Sequence, residues 1–155
     1  MMLGYTKDEI GASEYLKEIF NMIKGPVPDI DLKFEAAVQK TCRQGIAKGI
    51  IKSAHDVSKG GLAVALAECC VSARLHGEEP VGAFVELQSD IRADALLFGE
   101  TQSRIIITVD KKDIMAMKKA ASLNKVVLTE LGKTGGNRLM INVDWASKKG
   151  ISKIT

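Results

Sequence analysis

The stretch "SAHDVSKGGLAVALAECC", residues 53–70, decides how the chain is read. It follows the apolar run "GII", holds a histidine, an aspartate, a serine and a glycine pair, and ends in small apolar residues at helical spacing. Apolar periodicity that changes across a glycine pair marks a strand handing over to a helix. The strand is expected over "GIIKSA", ending at Ala54, the turn over "HDVSKGG", and the helix from Gly61 to about Leu75. Leu62, Ala65, Leu66, Cys69 and Cys70 form a narrow stripe of small residues suited to close packing on a sheet.

Two uses of the turn stay open at this level. In one, Asp56 or Ser58 caps the helix and Gly60 and Gly61 shape the bend. In the other, the free N–H groups at the helix start meet an anion, and the glycines let the backbone approach it. Asp56 is then a hard oxygen ligand for Mg²⁺ and Ser58 a hydroxyl donor to phosphate.

Working outward, Ser13 is placed to cap a helix whose apolar face is Leu16, Ile19, Phe20 and Ile23. "GPVPDID" breaks the chain, and Asp31 caps a second helix carrying Phe34, Val38, Cys42 and Ile46 up to Gly49. On the far side, Val81, Ala83, Val85 and Leu87 alternate as a strand, and "IRADALLFG" is a short helical segment. "RIIITVD" is a β-branched strand, and Asp110 caps the following helix with Asp113 in its first turn. "KVVLTELG" and "RLMINV" are two strands joined by "KTGGN", where Gly135 and Gly136 shape a hairpin turn. Helices and strands mix without strict alternation, so the class is α+β with a mixed sheet. The chain is expected to form a single domain, 1–155, with residues 144–155 as a loose tail and Trp145 as its packing anchor.

Composition narrows the function. The 155 residues carry a formal charge of +3, with 46% hydrophobic and 26% charged residues, as in ordinary globular domains. Basic residues are scattered among nearly as many acids, 22 against 19, which argues against a nucleic-acid surface. No apolar stretch approaches the ~20 residues that span a bilayer, and the N-terminus has no secretory pattern. Cys42, Cys69 and Cys70 lack zinc-like spacing and are expected to be free thiols in a reducing cytoplasm. His55 reads as a hydrogen-bonded turn residue and His76 as a surface residue.

"SAHDVSKGGLAVALAE" closely resembles the signature of the last domain of phosphoribosylformylglycinamidine synthase. Three further stretches agree in order: "GASEYL" at 11–16, "LLFGETQSRIIITV" at 96–109 and "LGKTGGNRLMI" at 131–141. The resemblance is to the second C-domain of the small bacterial form, within the aminoimidazole ribonucleotide synthetase superfamily. It implies an α+β three-layer α/β/α C-domain. It also implies ATP-dependent amidation of formylglycinamide ribonucleotide in purine biosynthesis, with glutamine as nitrogen donor. The family's N-domains have no counterpart in this sequence, so the resemblance assigns no catalytic residue here and implies that the domain is inactive alone.

Carried over by position, Asp56 is the magnesium ligand of an auxiliary site, and Ser58, Gly60 and Gly61 are its phosphate contacts. Glu100, Thr101 and Gln102 stand where the family has Glu-Ser-Gln, on the substrate side of that pseudo-symmetric site. Thr101 departs conservatively, and Lys59 replaces an acid. The implied cofactors are Mg²⁺ and ATP. The implied partners are the N-domains, a glutaminase and small accessory subunits, with a homodimer of the isolated domain as a further expectation. The competing expectations are a non-catalytic binding or assembly module, or the C-domain of a related ATP-using kinase or maturation factor.

Overall fold

β-Branched residues around 51 and 105–109 pull these segments into extended backbone, and the two pair with each other along one side of the larger of two sheets. The structure, a computed structural model, describes residues 1–72, 77 and 79–145. Strands β1 (Met2–Leu3), β2 (Ile51–Asp56), β4 (Ile105–Val109) and β5 (Leu128–Thr129) run in the order β2-β4-β1-β5, antiparallel throughout. The second sheet has β3 (Ala83–Ser89) between β6 (Gly132–Thr134) and β7 (Leu139–Trp145); β6 is antiparallel and β7 parallel to it. Helices α1 (Glu14–Phe20), α2 (Leu32–Ala47), α3 (Gly61–Val71), α4 (Ala93–Phe98) and α5 (Ile114–Leu123) complete the described elements.

Strand alternation sorts side chains between two cores. Leu3, Ile51 and Ile107 join Val38 and Cys42 of α2 and Met117 and Ala121 of α5 on one face of the larger sheet. Met2 and Ile106 point the other way, onto Leu62, Ala65 and Leu66 of α3 and Leu96 of α4. The same core takes Val85 and Leu87 from the second sheet. Burying one such Leu fully contributes about 1.5–3 kcal/mol. The α+β class and the helix-covered sheet hold, with the strands divided between two sheets.

Several elements depart from expectation. Strand β2 continues through His55 and Asp56, because these pair with Ile106 and Ile105 of β4. The "KTGGN" segment is not a hairpin: β6 and β7 flank β3 on opposite sides, and the Gly82 N–H donates to the Gly136 carbonyl at 2.9 Å. Asp110 makes no side-chain cap; a 3-10 turn at Lys111–Asp113 precedes α5, and Asp110 pairs with Lys52 at 3.6 Å. Helix α1 stops at Phe20, where Asn21 turns left-handed, so Ile19, Phe20 and Ile23 are exposed rather than forming a buried face. His76, the end expected for α3 near Leu75, and the tail beyond Trp145 lie outside the described residues.

Candidate functional site

The turn is built from both sides. Strand β2 ends at Asp56, and the next residue, Val57, is buried with its N–H donated to the Arg104 carbonyl at 2.9 Å. The chain then bends out through the exposed Ser58 and Lys59 and back through Gly60 and Gly61, with φ of +77° and +72°. Two consecutive left-handed residues demand glycine. The Gly61 N–H closes the bend on the Ser58 carbonyl at 3.1 Å. No side chain caps α3, so neither Asp56 nor Ser58 serves the helix as its cap.

The Gly60 N–H donates to Glu100 Oε1 at 2.9 Å, and the Glu14 N–H donates to the same oxygen at 2.8 Å. The carboxylate therefore ties the glycine turn to the first residue of α1. Thr101 is buried: the Lys7 N–H donates to its Oγ1 at 3.2 Å, and that hydroxyl donates to the Lys7 carbonyl at 3.5 Å. Gln102 is exposed, and its Nε2 donates to the Glu100 carbonyl at 3.0 Å. Thr101 and Gln102 line a shallow hollow with Tyr5, Asp31 and Phe34.

The structure thus brings Gly60 and Glu100 into direct contact. The Asp56 and Ser58 side chains face solvent and make no hydrogen bond among the described residues. The His55 Nε2 lies 3.7 Å from Glu68 and its Nδ1 meets the Asp56 carbonyl at 2.7 Å.

Arg104 pairs with neither Glu100 nor Asp56 and turns into the fold. It is 2% exposed; Nε donates to the Thr101 carbonyl at 2.8 Å, Nη2 to the Gly99 carbonyl at 2.7 Å and Nη1 to Thr6 Oγ1 at 3.1 Å. Burial pushes its pKa down to about 10, against the opposing pull of Glu9 and Glu100. It remains a cation at neutral pH and holds the 99–104 loop in shape. Sequence reasoning missed this role, and the signal for it was only an arginine directly ahead of a β-branched run.

Among the described residues, no group of three or more His, Cys, Asp or Glu is placed to hold a metal. Magnesium is commonly held by one or two carboxylates plus phosphate oxygens, and the exposed Asp56 carboxylate would supply one such oxygen ligand. The three cysteines are free, and burial raises the pKa of each thiol, which makes them poor nucleophiles.

The profile of the family described as "AIR synthase related protein, C-terminal domain" matches residues 1–142. The chain belongs to that family. Over 144 residues it is 40% identical to the phosphoribosylformylglycinamidine synthase subunit PurL of Caldanaerobacter subterraneus subsp. tengcongensis, covering 93% of this chain and 19% of that protein. The PurL of Moorella thermoacetica is also 40% identical over 144 residues, with the same shares. This AIR synthase-related domain therefore spans about a fifth of the length of the curated relatives it matches. Among solved structures, Thermotoga maritima PurL complexed with FGAR superposes with a TM-score of 0.69 at 16% identity, over 99% of this chain and 29% of that one. Thiamine-monophosphate kinase from Stenotrophomonas maltophilia gives 0.53 at 19% identity, over 92% and 48%. These structures show a shared fold. No helix among the described residues is long and apolar enough to cross a membrane.

Proposed function

We propose that this chain works as the C-terminal domain of a PurL-type phosphoribosylformylglycinamidine synthase. The observation that carries this is 40% identity over 144 residues to PurL chains. In the proposed reaction, ATP activates the amide oxygen of formylglycinamide ribonucleotide by phosphorylating it. Ammonia derived from glutamine then adds at that carbon, and phosphate leaves to give the amidine. Mg²⁺, when bound, neutralises phosphate charge as the phosphoryl group moves.

The part played by this domain is to complete a phosphate-binding surface, not to supply a reacting group. Asp56, exposed at the end of β2, is proposed as one metal ligand, and the Ser58 hydroxyl as a phosphate donor. Gln102, with its side chain at the rim of a neighbouring hollow, is proposed to face the ligand side. Gly60 and Gly61 hold the bend that presents these side chains. The N-domains and the remaining ligand contacts are proposed to come from the rest of a longer synthase chain, which works in the cytoplasm with a separate glutaminase and small accessory subunits.

A chimera tests the proposal. This chain replaces the matching fifth of the Caldanaerobacter PurL, and ADP release is followed with formylglycinamide ribonucleotide, ATP and ammonia. Substrate-dependent ADP release at a rate near the parent's supports the assignment. A folded chimera with no substrate-dependent release overturns it.

A further inference from the structure

The glycine turn already holds an anion belonging to the chain. One oxygen of Glu100 accepts from the N–H of Gly60, the residue just before α3, and from the N–H of Glu14 on a separate helix. Hydrogen bonds to an ionised acceptor are about twice as strong as neutral ones. The residues on either side of Glu100 are pinned. The Gly99 N–H donates to the Ala95 carbonyl at 3.0 Å, the Gly99 carbonyl accepts from Arg104, and Thr101 is clasped to Lys7. The carboxylate is therefore delivered to Gly60 by a backbone that cannot swing away on its own. The other N–H of the pair, that of Gly61, is spent on Ser58. Both backbone donors that the glycine pair would offer an incoming phosphate are occupied from within.

We infer that Glu100 is the resident anion of the glycine turn, a positioning residue that fixes the turn against α1 and shuts ligand phosphate out of the Gly60 N–H. The inference builds on the proposed function in locating the phosphate surface at this turn. It changes how that surface is used: contact there runs through the side chains of Ser58 and Asp56, and the backbone of the glycine pair serves structure alone. It also separates Glu100 from Gln102, since the first is turned into the fold and the second faces out.

The test uses the ¹⁵N-labelled chain, its Glu100→Gln and Glu100→Ala variants, and inorganic phosphate without metal. In wild type the Gly60 and Glu14 amide protons resonate downfield together, and phosphate moves neither. In Glu100→Ala both move upfield, and Gly60 then responds saturably to phosphate, with an affinity about tenfold or more above wild type. Glu100→Gln keeps an oxygen acceptor and restores part of both shifts. If Glu100→Ala does not fold, the Gln variant decides: a joint upfield movement of Gly60 and Glu14 supports the role, and unmoved amides overturn it. Phosphate that shifts the Gly60 amide in wild type also overturns it. None of these readings needs nucleotide binding or turnover, so an inactive chimera would count against the proposed function while leaving this result standing.

Discussion

A Cβ placed on Gly61 would lie 2.7 Å from the carbonyl oxygen of Gly99. The same atom would stand 2.7 Å from the carbonyl carbon of Phe98 and 2.8 Å from its Cα. All three neighbours are backbone at the end of α4, so none can rotate aside. Helix α3 starts where it does because glycine lets it press directly on α4, and the left-handed φ of +72° adds a second reason for glycine.

Gly61→Ala should therefore be severe, and Gly61→Val worse. Strain from the positive φ costs about 1 kcal/mol, and the backbone clash adds to it as overpacking, roughly 1–3 kcal/mol more. Thermal melts should show Gly61→Ala lowered by roughly 5–15 °C. Gly60→Ala gives the comparison without a backbone clash: it carries the same kind of strain, at φ +77°, and its Cβ would stand 2.6 Å from Cγ2 and 2.9 Å from Cβ of Val64, so it too should melt below wild type. A Gly61→Ala variant that melts with wild type would remove the close helix contact as the reason for the glycine.

Arg104 gives a second prediction, because a buried cation is worth most through the acceptors it satisfies. Arg104→Met keeps the bulk but leaves the Thr101 and Gly99 carbonyls without their donor, at about 1–3 kcal/mol for each buried group left unpaired. Arg104→Lys should recover only part, since an ammonium cannot serve three acceptors spread around a planar fork. The pH dependence follows from the direction of its shift. Its folded pKa of about 10 lies below the unfolded value, so above about pH 10 the unfolded chain holds the proton more firmly, and this group's contribution to stability rises with pH only there. From pH 5 to 9 the wild-type and Arg104→Met melting curves should stay parallel. A stability gap that opens or closes within that window would show that another titrating group depends on Arg104.

How much of this was legible depends on the distance over which each residue's partner lies. Asp31 was readable as a cap because its partners are the next N–H groups, those of Lys33 and Phe34. The strand at 105–109 was readable because its β-branched run is local. The face of α2 was only half readable: Val38 and Cys42 are buried, but Thr41 and Gly45 are buried beside them and Ile46 is exposed. Gly45 is there because a Cβ would come within 2.5 Å of the Ile51 side chain on the neighbouring strand, which no local pattern announces. The two-residue strand β1 is too short to show alternation. In the site, the glycine turn was visible, but the carboxylate that holds it comes from 40 residues downstream, and the buried use of Arg104 depends on loops that only the fold brings together.

Exposed apolar side chains gather near α1 rather than along the strand at 105–109. Strand β4 lies inside its sheet, between β2 and β1, so "RIIITV" offers no free edge. The open apolar surface lies instead between α1 and α2, where Ile23 is 83% exposed, Val27 75% and Leu32 73%. Apolar side chains gathered on one stretch favour association. The chain should therefore self-associate reversibly as concentration rises in sedimentation velocity runs, and the pair Ile23→Lys with Leu32→Lys should return it to a monomer. Wild type that stays monomeric across the whole concentration range would count against this surface as sticky.

Asp56 separates the two uses of the turn posed by the sequence, because the structure leaves its carboxylate without a hydrogen-bond partner among the described residues and α3 without a side-chain cap. A residue that holds nothing in the fold can change at little cost, so Asp56→Asn should melt within ~0.5 kcal/mol of wild type. Asparagine keeps the shape and removes the charge, and magnesium strongly prefers carboxylate and phosphate oxygens. Calorimetric titration with ADP should then show affinity that depends on Mg²⁺ in wild type and loses that dependence in Asp56→Asn. Ser58→Ala should weaken ADP in the presence and absence of the metal alike, because a lost hydroxyl donor acts on phosphate directly. The control is Glu100→Gln, whose carboxylate faces the Gly60 and Glu14 amides; it should disturb the turn while leaving the Mg²⁺ dependence in place. If wild type binds ADP equally with and without Mg²⁺, Asp56 is no metal ligand in this chain. If Asp56→Asn instead melts several degrees lower, the carboxylate carries a structural load that its exposed position does not account for.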